Sequence, residues 1–168
     1  IDLIEAGAGG GSIAYIDEMG LLKVGPESQG ATPGPACYGL GGDKPTVTDA
    51  DLILGYINPD YFLGGVMDIF PEAAAQAIRK NIAEPLKTQE VQAAWGIHEL
   101  VNETMAAATR IQLSERGKDP RNFTLVATGG AGPVHAFHLA RKVGIHRIIC
   151  PPAAGLASSL GLLTVPFK

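Results

Sequence analysis

The sequence predicts an α/β fold, on three observations. Thr124–Phe137 reads as a strand, a glycine turn and the start of a helix. Thr88–Arg116 carries apolar residues at helical spacing along its length. Between Ile1 and Val24, short β-rich runs alternate with glycine. Strands and helices that alternate in this way build layered α/β domains.

Composition bounds the class. A chain of 168 residues fits one domain, or one domain plus a small subdomain. Hydrophobic residues make up 46%, enough for a core, while charged residues at 18% fall below the usual quarter, so much surface is expected to be covered by something else. A net charge of −4 leaves no basic footprint for nucleic acid. No apolar run approaches the ~18 residues of a membrane span, and no signal peptide is visible. Cys37 and Cys150 lie far apart and form no CxxC pair, so a disulfide framework is not expected and a reducing cytosol is the default. The chain starts at Ile1 without a Met and stops at Lys168 without a tail, which reads as a piece of a longer polypeptide.

In order, Ile1–Ile16 reads as strand, glycine hinge, strand. Gly7 and Gly9–Gly11 permit positive φ and close approach of a ligand, or equally a flexible bulge at a hinge. The loop lacks the Lys-Ser/Thr ending of a Walker loop and leads into β-rich sequence, unlike a dinucleotide fingerprint. Asp17–Gly20 predicts a hairpin turn into Leu21–Val24. Gly25–Gly42 is a long loop, too rich in Gly and Pro for a helix or a central strand. Its Ala36, Cys37 and Tyr38 argue for an ordered loop that lines a site or packs on a partner, with Cys37 packed inside it. Thr48 or Asp49 is expected to cap a helix from Ala50 to Gly55, and Asp49 and Asp51 could instead hold a metal.

Asn58–Asp60 predicts a turn, and Tyr61–Gly65 an apolar loop. Pro71 opens a helix to about Ile82. Thr88 caps the longest helix, which Gly117 stops. His98, Glu99 and Glu103 are placed on its solvated face. The Thr124–Phe137 turn removes side chains at Gly129, Gly130 and Gly132, and Pro133 fits the first helical turn. Such a turn exposes backbone N–H groups at a helix N-terminus, which suits an anionic or nucleotide ligand. His135 and His138 lie three apart on one helical face and could bind metal with a third ligand. A turn at Gly144 leads to a buried strand ending near Cys150. Pro151–Leu163 closes as a loop and a small-residue helix, with Ala157, Ser158 and Gly161 expected to pack closely against a neighbour and Ser159 as a polar contact.

Five stretches, taken together, resemble the hydantoinase A / 5-oxoprolinase family. They are Gly7–Ala14, Val24–Gly39 with its Pro33-Gly-Pro-Ala-Cys-Tyr, Pro45–Ala50 with Leu54-Gly55, Gly129–Ala136, and Pro151–Leu163. They occur in the family's order and span nearly the whole chain. The resemblance implies a ribonuclease-H-like fold of the actin and sugar-kinase ATPase type, with an inserted long helical pair. It divides the chain into a Gly-rich β/loop part (1–69), a helical part (70–117) and a β-turn-α nucleotide-binding part (123–163) of one partial domain.

Family members use ATP with Mg²⁺ to open cyclic amides such as hydantoins and 5-oxoproline, or serve as ATPase subunits of ketone carboxylases. By resemblance, Gly129, Gly130, Ala131 and Gly132 form the adenosine turn, and Gly9, Gly10, Gly11 and Ser12 line the cleft. Asp49 and His135 are candidates for proton or metal chemistry, with His138 a further metal ligand and Glu27 a weaker candidate. A hydantoinase B-type partner subunit or domain, the rest of the polypeptide and an oligomeric enzyme are implied. The family's Asp-x-Gly-Gly-Thr phosphate loop does not occur here, so this stretch alone is expected to be inactive. A non-catalytic actin-like interaction module is the competing class.

Overall fold

The computed structural model describes residues 5–157 together with Ser159 and Leu163. They form an α/β structure of helices and two small sheets. Two compact units are present, one up to Thr104 and one from Met105 onward. The strand expected at Ile1–Ile4 and the packing roles of Ser158 and Gly161 lie outside the described residues.

In the first unit, β1 (Ser12–Ile16) and β2 (Leu22–Ser28) form an antiparallel hairpin with Ile16 opposite Leu22. Its turn is the expected one: the Asp17 carboxylate accepts from the N–H groups of Met19 and Leu21, and Gly20 takes φ 78°. Strand β2, however, runs on through Gly25 and Pro26, which the sequence places in a loop. In a two-stranded ribbon a proline can sit where no ladder donor is needed, and a register shift between Ser12 and Ala14 absorbs the irregularity. Gly25 is required there, because φ is +68° and a Cβ would stand 2.9 Å from the Gly7 carbonyl oxygen.

The rest of the Gly/Pro stretch is ordered. Ala36–Tyr38 form a 3-10 turn, and fully buried Cys37 packs with Leu52, Ile69 and Ala74. A Cβ on Gly42 would overlap the Gly34 carbonyl oxygen, so the two arms of the loop touch. Helix α1 (Val47–Ile53) starts three residues before the expected Ala50. Its N-cap is Thr46, and Asp49 completes a capping box from the third helical position, so neither Thr48 nor Asp49 is the cap itself. Pro59–Gly65 is a kinked 3-10 segment in which Leu63 takes φ 49°.

Helix α2 (Pro71–Ile78) continues through a π-turn at Arg79–Ala83 into a short α3 (Glu84–Leu86), past the expected end at Ile82. Pro85 explains the π-turn. A proline in a regular helix lacks the N–H for the residue four back and collides with that residue's carbonyl, and widening the turn relieves both problems. The Glu84 N–H accordingly reaches back to the Arg79 carbonyl, five residues away. The Asn81 side chain donates to the Ala77 carbonyl at 2.8 Å, supplying a donor inside the widened turn. Helix α4 (Glu90–Glu115) begins two residues after the expected cap. Ala93, Ala94, Ile97 and Val101 form its buried face in this unit.

The second unit takes the end of α4, which Gly117 stops at φ 60°, then β3 (Thr124–Val126), α5 (Gly132–Val143) and β4 (Arg147–Ile149). Strands β3 and β4 pair in parallel, with Leu125 opposite Ile148. Its core joins Ala106, Ala140, Val143 and Ile145, flanked by Leu113, Leu125 and Leu139. The strands are less buried than their apolar runs predict, Val126 being 56% and Ile149 52% exposed. Parallel strands are buried when layers cover both faces, and within this unit the described residues cover the pair only in part. Among the described residues no helix is long and apolar enough to cross a membrane.

Candidate functional site

The glycine loop before β1 is held from within. Ser12 N–H donates to the Gly9 carbonyl at 3.0 Å, and Ser12 Oγ accepts from Gly9 N–H at 3.0 Å. The Gly10 carbonyl accepts twice from Thr48, through its N–H and its Oγ1, each at 2.9 Å. Gln29 N–H takes the Gly11 carbonyl at 2.9 Å. All three carbonyls are therefore engaged by the protein, while the N–H groups of Gly10 and Gly11 find no acceptor among the described residues. Successive N–H groups left free by the chain can form an anion-binding concavity. At Gly9 a Cβ would meet nothing within 4 Å, and at Gly11 it would meet Ser28 Oγ at 2.7 Å. Gly11 is thus glycine for packing, and Gly9 has open space.

Asp49, 0% exposed, directly follows Thr48, which holds that loop. Its Oδ1 accepts from Cys37 N–H at 2.8 Å, and its Oδ2 accepts from Ala36 N–H at 3.2 Å and from Thr46 N–H and Oγ1, each at 2.8 Å. Four donors of its own chain thus share this carboxylate, which ties the 3-10 turn to the start of α1. Burial, followed by the Asp49 charge and its hydrogen bond, pushes the Cys37 thiol well above the ordinary thiol range. Burial likewise raises the Tyr38 phenol, with the charges of Cys37 and Asp49 adding to it. Cys37 is an inert packing residue here, not a nucleophile.

Helix α1 also carries Asp51, which meets His98 of α4. Asp51 Oδ1 stands 2.7 Å from His98 Nδ1, at 2% and 0% side-chain exposure. A carboxylate only accepts, so Nδ1 carries the proton in this bond. Tyr56 and Trp95 flank the imidazole with ring centroids 4.9 and 5.7 Å away. The expected solvated position of His98 is corrected: it lies four residues from both Ala94 and Asn102, on the buried stripe of α4. That spacing was the available signal, outweighed by the polar neighbours Glu99 and Glu103. The pair fixes the tautomer and orientation of a buried imidazole, as a carboxylate does for a working histidine.

In the second unit the turn Gly129–Gly132 joins β3 to α5. Gly129 has φ +82° and needs to be glycine for its backbone. Gly130 and Gly132 do not, because neither has a positive φ and a Cβ on either would meet nothing within 4 Å. Pro133 occupies the first turn of α5, as expected, so that turn offers one N–H fewer. His135 is buried at 2% exposure. His138 is half-buried one turn on, edge-on to Phe137 at 5.2 Å.

A cleft of about 540 Å³ lies in the first unit between the hairpin, the Lys44–Pro45 segment and the π-turn. Glu27, Lys44 and Asn81 supply its charged and amide side chains, with Ile13, Ile16 and Pro26 among the apolar walls. Of these polar residues the sequence singled out only Glu27. The strand that follows the glycine loop, β1, forms one wall, so the loop's end and the cleft share an element.

A family profile described as hydantoinase/oxoprolinase matches residues 1–166. An uncharacterised protein of Methanocaldococcus jannaschii is 50% identical over 163 residues, 97% of this chain and 24% of that protein. The acetophenone carboxylase gamma subunit of Aromatoleum aromaticum is 48% identical over 159 residues, 94% of this chain and 21% of that protein. The crystal structure of the ATP-dependent caprolactamase from Pseudomonas jessenii is similar with a TM-score of 0.82 and 49% identity, over 89% of this chain and 22% of that one. The chain spans a fifth to a quarter of the length of these relatives.

Proposed function

The chain belongs to the hydantoinase/oxoprolinase family, and from that premise we propose that it is part of an ATP-dependent enzyme that opens cyclic amides of the hydantoin and 5-oxoproline kind. The observation that carries this reading is the pair Gly130 and Gly132. Glycine loses more backbone freedom on folding than alanine does, so a glycine that neither backbone nor packing requires calls for another reason. Nothing in the described residues requires it at those two positions. Room for a ligand above the backbone is the remaining reason, and a flat adenosine uses such room. Within the first unit, and independently of that turn, the N–H groups of Gly10 and Gly11 suit an anion. The parallel β3–α5–β4 unit with its glycine turn supports a ribonuclease-H-like ATPase architecture.

A bound ATP with Mg²⁺ would supply a phosphoryl group to the amide oxygen, making that oxygen a better leaving group. This chain's own residues hold and orient. Ser12 and Thr48 fix the glycine loop through its Gly9 and Gly10 carbonyls, and donors fixed in advance are the ones that stabilise developing charge. Asp49 holds the neighbouring loop against α1. The Asp51–His98 pair keeps a buried imidazole in one tautomer. The name of the acetophenone carboxylase gamma subunit favours a second reading, an ATPase subunit of a ketone carboxylase working among several subunits.

The test uses the polypeptide that carries this chain. Gly130→Ala and Gly132→Ala are expected to leave melting unchanged or slightly raised, and to weaken binding of a fluorescent ATP analogue about tenfold or more. ATP turnover dependent on 5-oxoproline, hydantoin or a lactam is expected in the parent. Turnover that responds instead to a ketone with bicarbonate selects the carboxylase. No turnover with either, or alanine variants that bind nucleotide normally, overturns the reading.

A further inference from the structure

The cleft beside the hairpin contains two opposite charges that do not use each other. Glu27 on β2 and Lys44 before α1 both line it, and neither makes an ion pair or a side-chain hydrogen bond among the described residues. Their charged atoms are therefore more than the 4.0 Å of an ion pair apart. Asn81 lines the same cleft from the π-turn, a geometry found frequently at functional sites. Its Nδ2 is held by the Ala77 carbonyl, so the amide is fixed in place with its oxygen uncommitted. The volume of about 540 Å³ lies within the ~300–1,000 Å³ of small-molecule sites, and the walls are mostly apolar.

We infer that this cleft binds a short zwitterion, an amino acid whose amine and carboxylate stand at opposite ends of a small apolar chain, with the ammonium on Glu27 and the carboxylate on Lys44. Two unpaired opposite charges in one mostly apolar cleft are complementary to that shape. Asn81 adds an amide acceptor for an ammonium or amide N–H along the chain. The choice of an amino acid as the natural ligand rests on the cyclic-amide reading above, whereas the preference for a zwitterion does not. Hydrolysis of a lactam breaks the C–N bond. The carbon gains the oxygen of water and leaves as a carboxylate, and the nitrogen takes up protons and leaves as an ammonium. The ring-opened product of a simple lactam is thus a chain with one charge at each end, that of 5-oxoproline is glutamate with a second carboxylate beside its ammonium, and the cleft is the holding site for such ammonium-bearing products. Strand β1 connects it directly to the glycine loop.

Calorimetric titration of the polypeptide carrying this chain, without nucleotide, tests the assignment. The probes are 6-aminohexanoate and glutamate, with hexanoate and hexylamine as half-charged controls. The zwitterions are expected to bind at least about tenfold more tightly than either control, and Glu27→Gln or Lys44→Met to weaken them about tenfold each, close to 1.4 kcal/mol. Both residues are exposed, so melting stays unchanged. The double exchange Glu27→Lys with Lys44→Glu restores binding to within about threefold, because a zwitterion can turn end for end, and each single exchange abolishes it. Equal binding of hexanoate and the zwitterions, or a double exchange no better than the single ones, overturns the site. Zwitterion binding without any amide-dependent ATP turnover keeps the site and removes the ring-opening function. Turnover with zwitterion binding unaffected by the variants does the reverse.

Discussion

Replacing Asp49 by alanine removes one acceptor group from four donors at once. Three are backbone N–H groups, on Ala36, Cys37 and Thr46, and the fourth is the Thr46 hydroxyl, which can rotate to another partner. A buried N–H left unsatisfied costs about 1–3 kcal/mol. Three of them at the low end, with some relief from water entering the cavity, give a loss of about 3–4 kcal/mol. At about 2–4 °C per kcal/mol for a protein of this size, melting falls by roughly 10 °C. Asp49→Asn is milder. Its remaining oxygen can face the three donors on the Oδ2 side while its NH₂ opposes only the Cys37 N–H, for a cost of about 1–2 kcal/mol. The assay is the urea concentration at which Cys37 becomes alkylated, followed by mass spectrometry, because Cys37 lies inside the element that Asp49 ties down. The expected order of protection is Asp, then Asn, then Ala. An alanine variant that loses under about 1 kcal/mol, or an asparagine variant as weak as alanine, refutes the four-donor account.

Four further outcomes follow from the same structure. At pH 8 iodoacetamide is expected to label exposed Cys150 and spare Cys37 until urea opens the fold. Because burial raises the Cys37 thiol above its unfolded value, its contribution to stability is whole below about pH 8.5 and declines as pH rises above it. The Arg121 side chain, followed by its backbone N–H, lowers the Asp119 carboxyl from 3.8 to about 2. Its stabilising effect is present above the unfolded value and lost as pH falls from about 4 to 2, and an NMR titration midpoint near 3.8 would contradict the contact. Gly42→Ala, which drives a Cβ onto the Gly34 carbonyl oxygen, is expected to destabilise by about 1–3 kcal/mol, while Gly132→Ala, which meets nothing, does not. Chemical denaturation of the two variants separates them.

Local signals with a single physical cause were legible in the sequence. The strand, Gly129 turn and Pro133 helix start could be read because each residue type is dictated by its own backbone. Asp17 turned the hairpin for the same reason. What failed depended on partners distant in sequence. Strand β2 passes through Gly25 and Pro26 because a two-stranded ribbon forgives them, which no window of sequence reveals. His98 was placed in water because Glu99 and Glu103 are close in sequence, although its partner Asp51 lies 47 residues away. Asp49 read first as a helix cap, with a metal ligand as the alternative. Only the positions of Ala36 and Cys37, a loop away, show how its oxygens are occupied. Of the candidate site, the glycines were visible as motifs, whereas Lys44 and Asn81 carry no motif and gain meaning from the walls around them.

The π-turn at Arg79–Ala83 has a consequence for how this helix can change. A π-turn holds roughly one residue more than an α-turn, so it behaves as an insertion that the helix has accommodated without rotating either flank. Shortening the chain there by one residue should therefore be tolerated where a deletion elsewhere in α2 would swing every later side chain by about 100°. Removing Asn81 alone is the informative case. Ile78 on one side and Ile82 on the other would stay in the core, the turn would close to a plain α-helix strained only at Pro85, and the cleft would lose its amide. A relative of this protein with one residue fewer at that point would then be a natural variant of the pocket on an unaltered scaffold, and helix length at this position becomes a record of which ligand the cleft accepts.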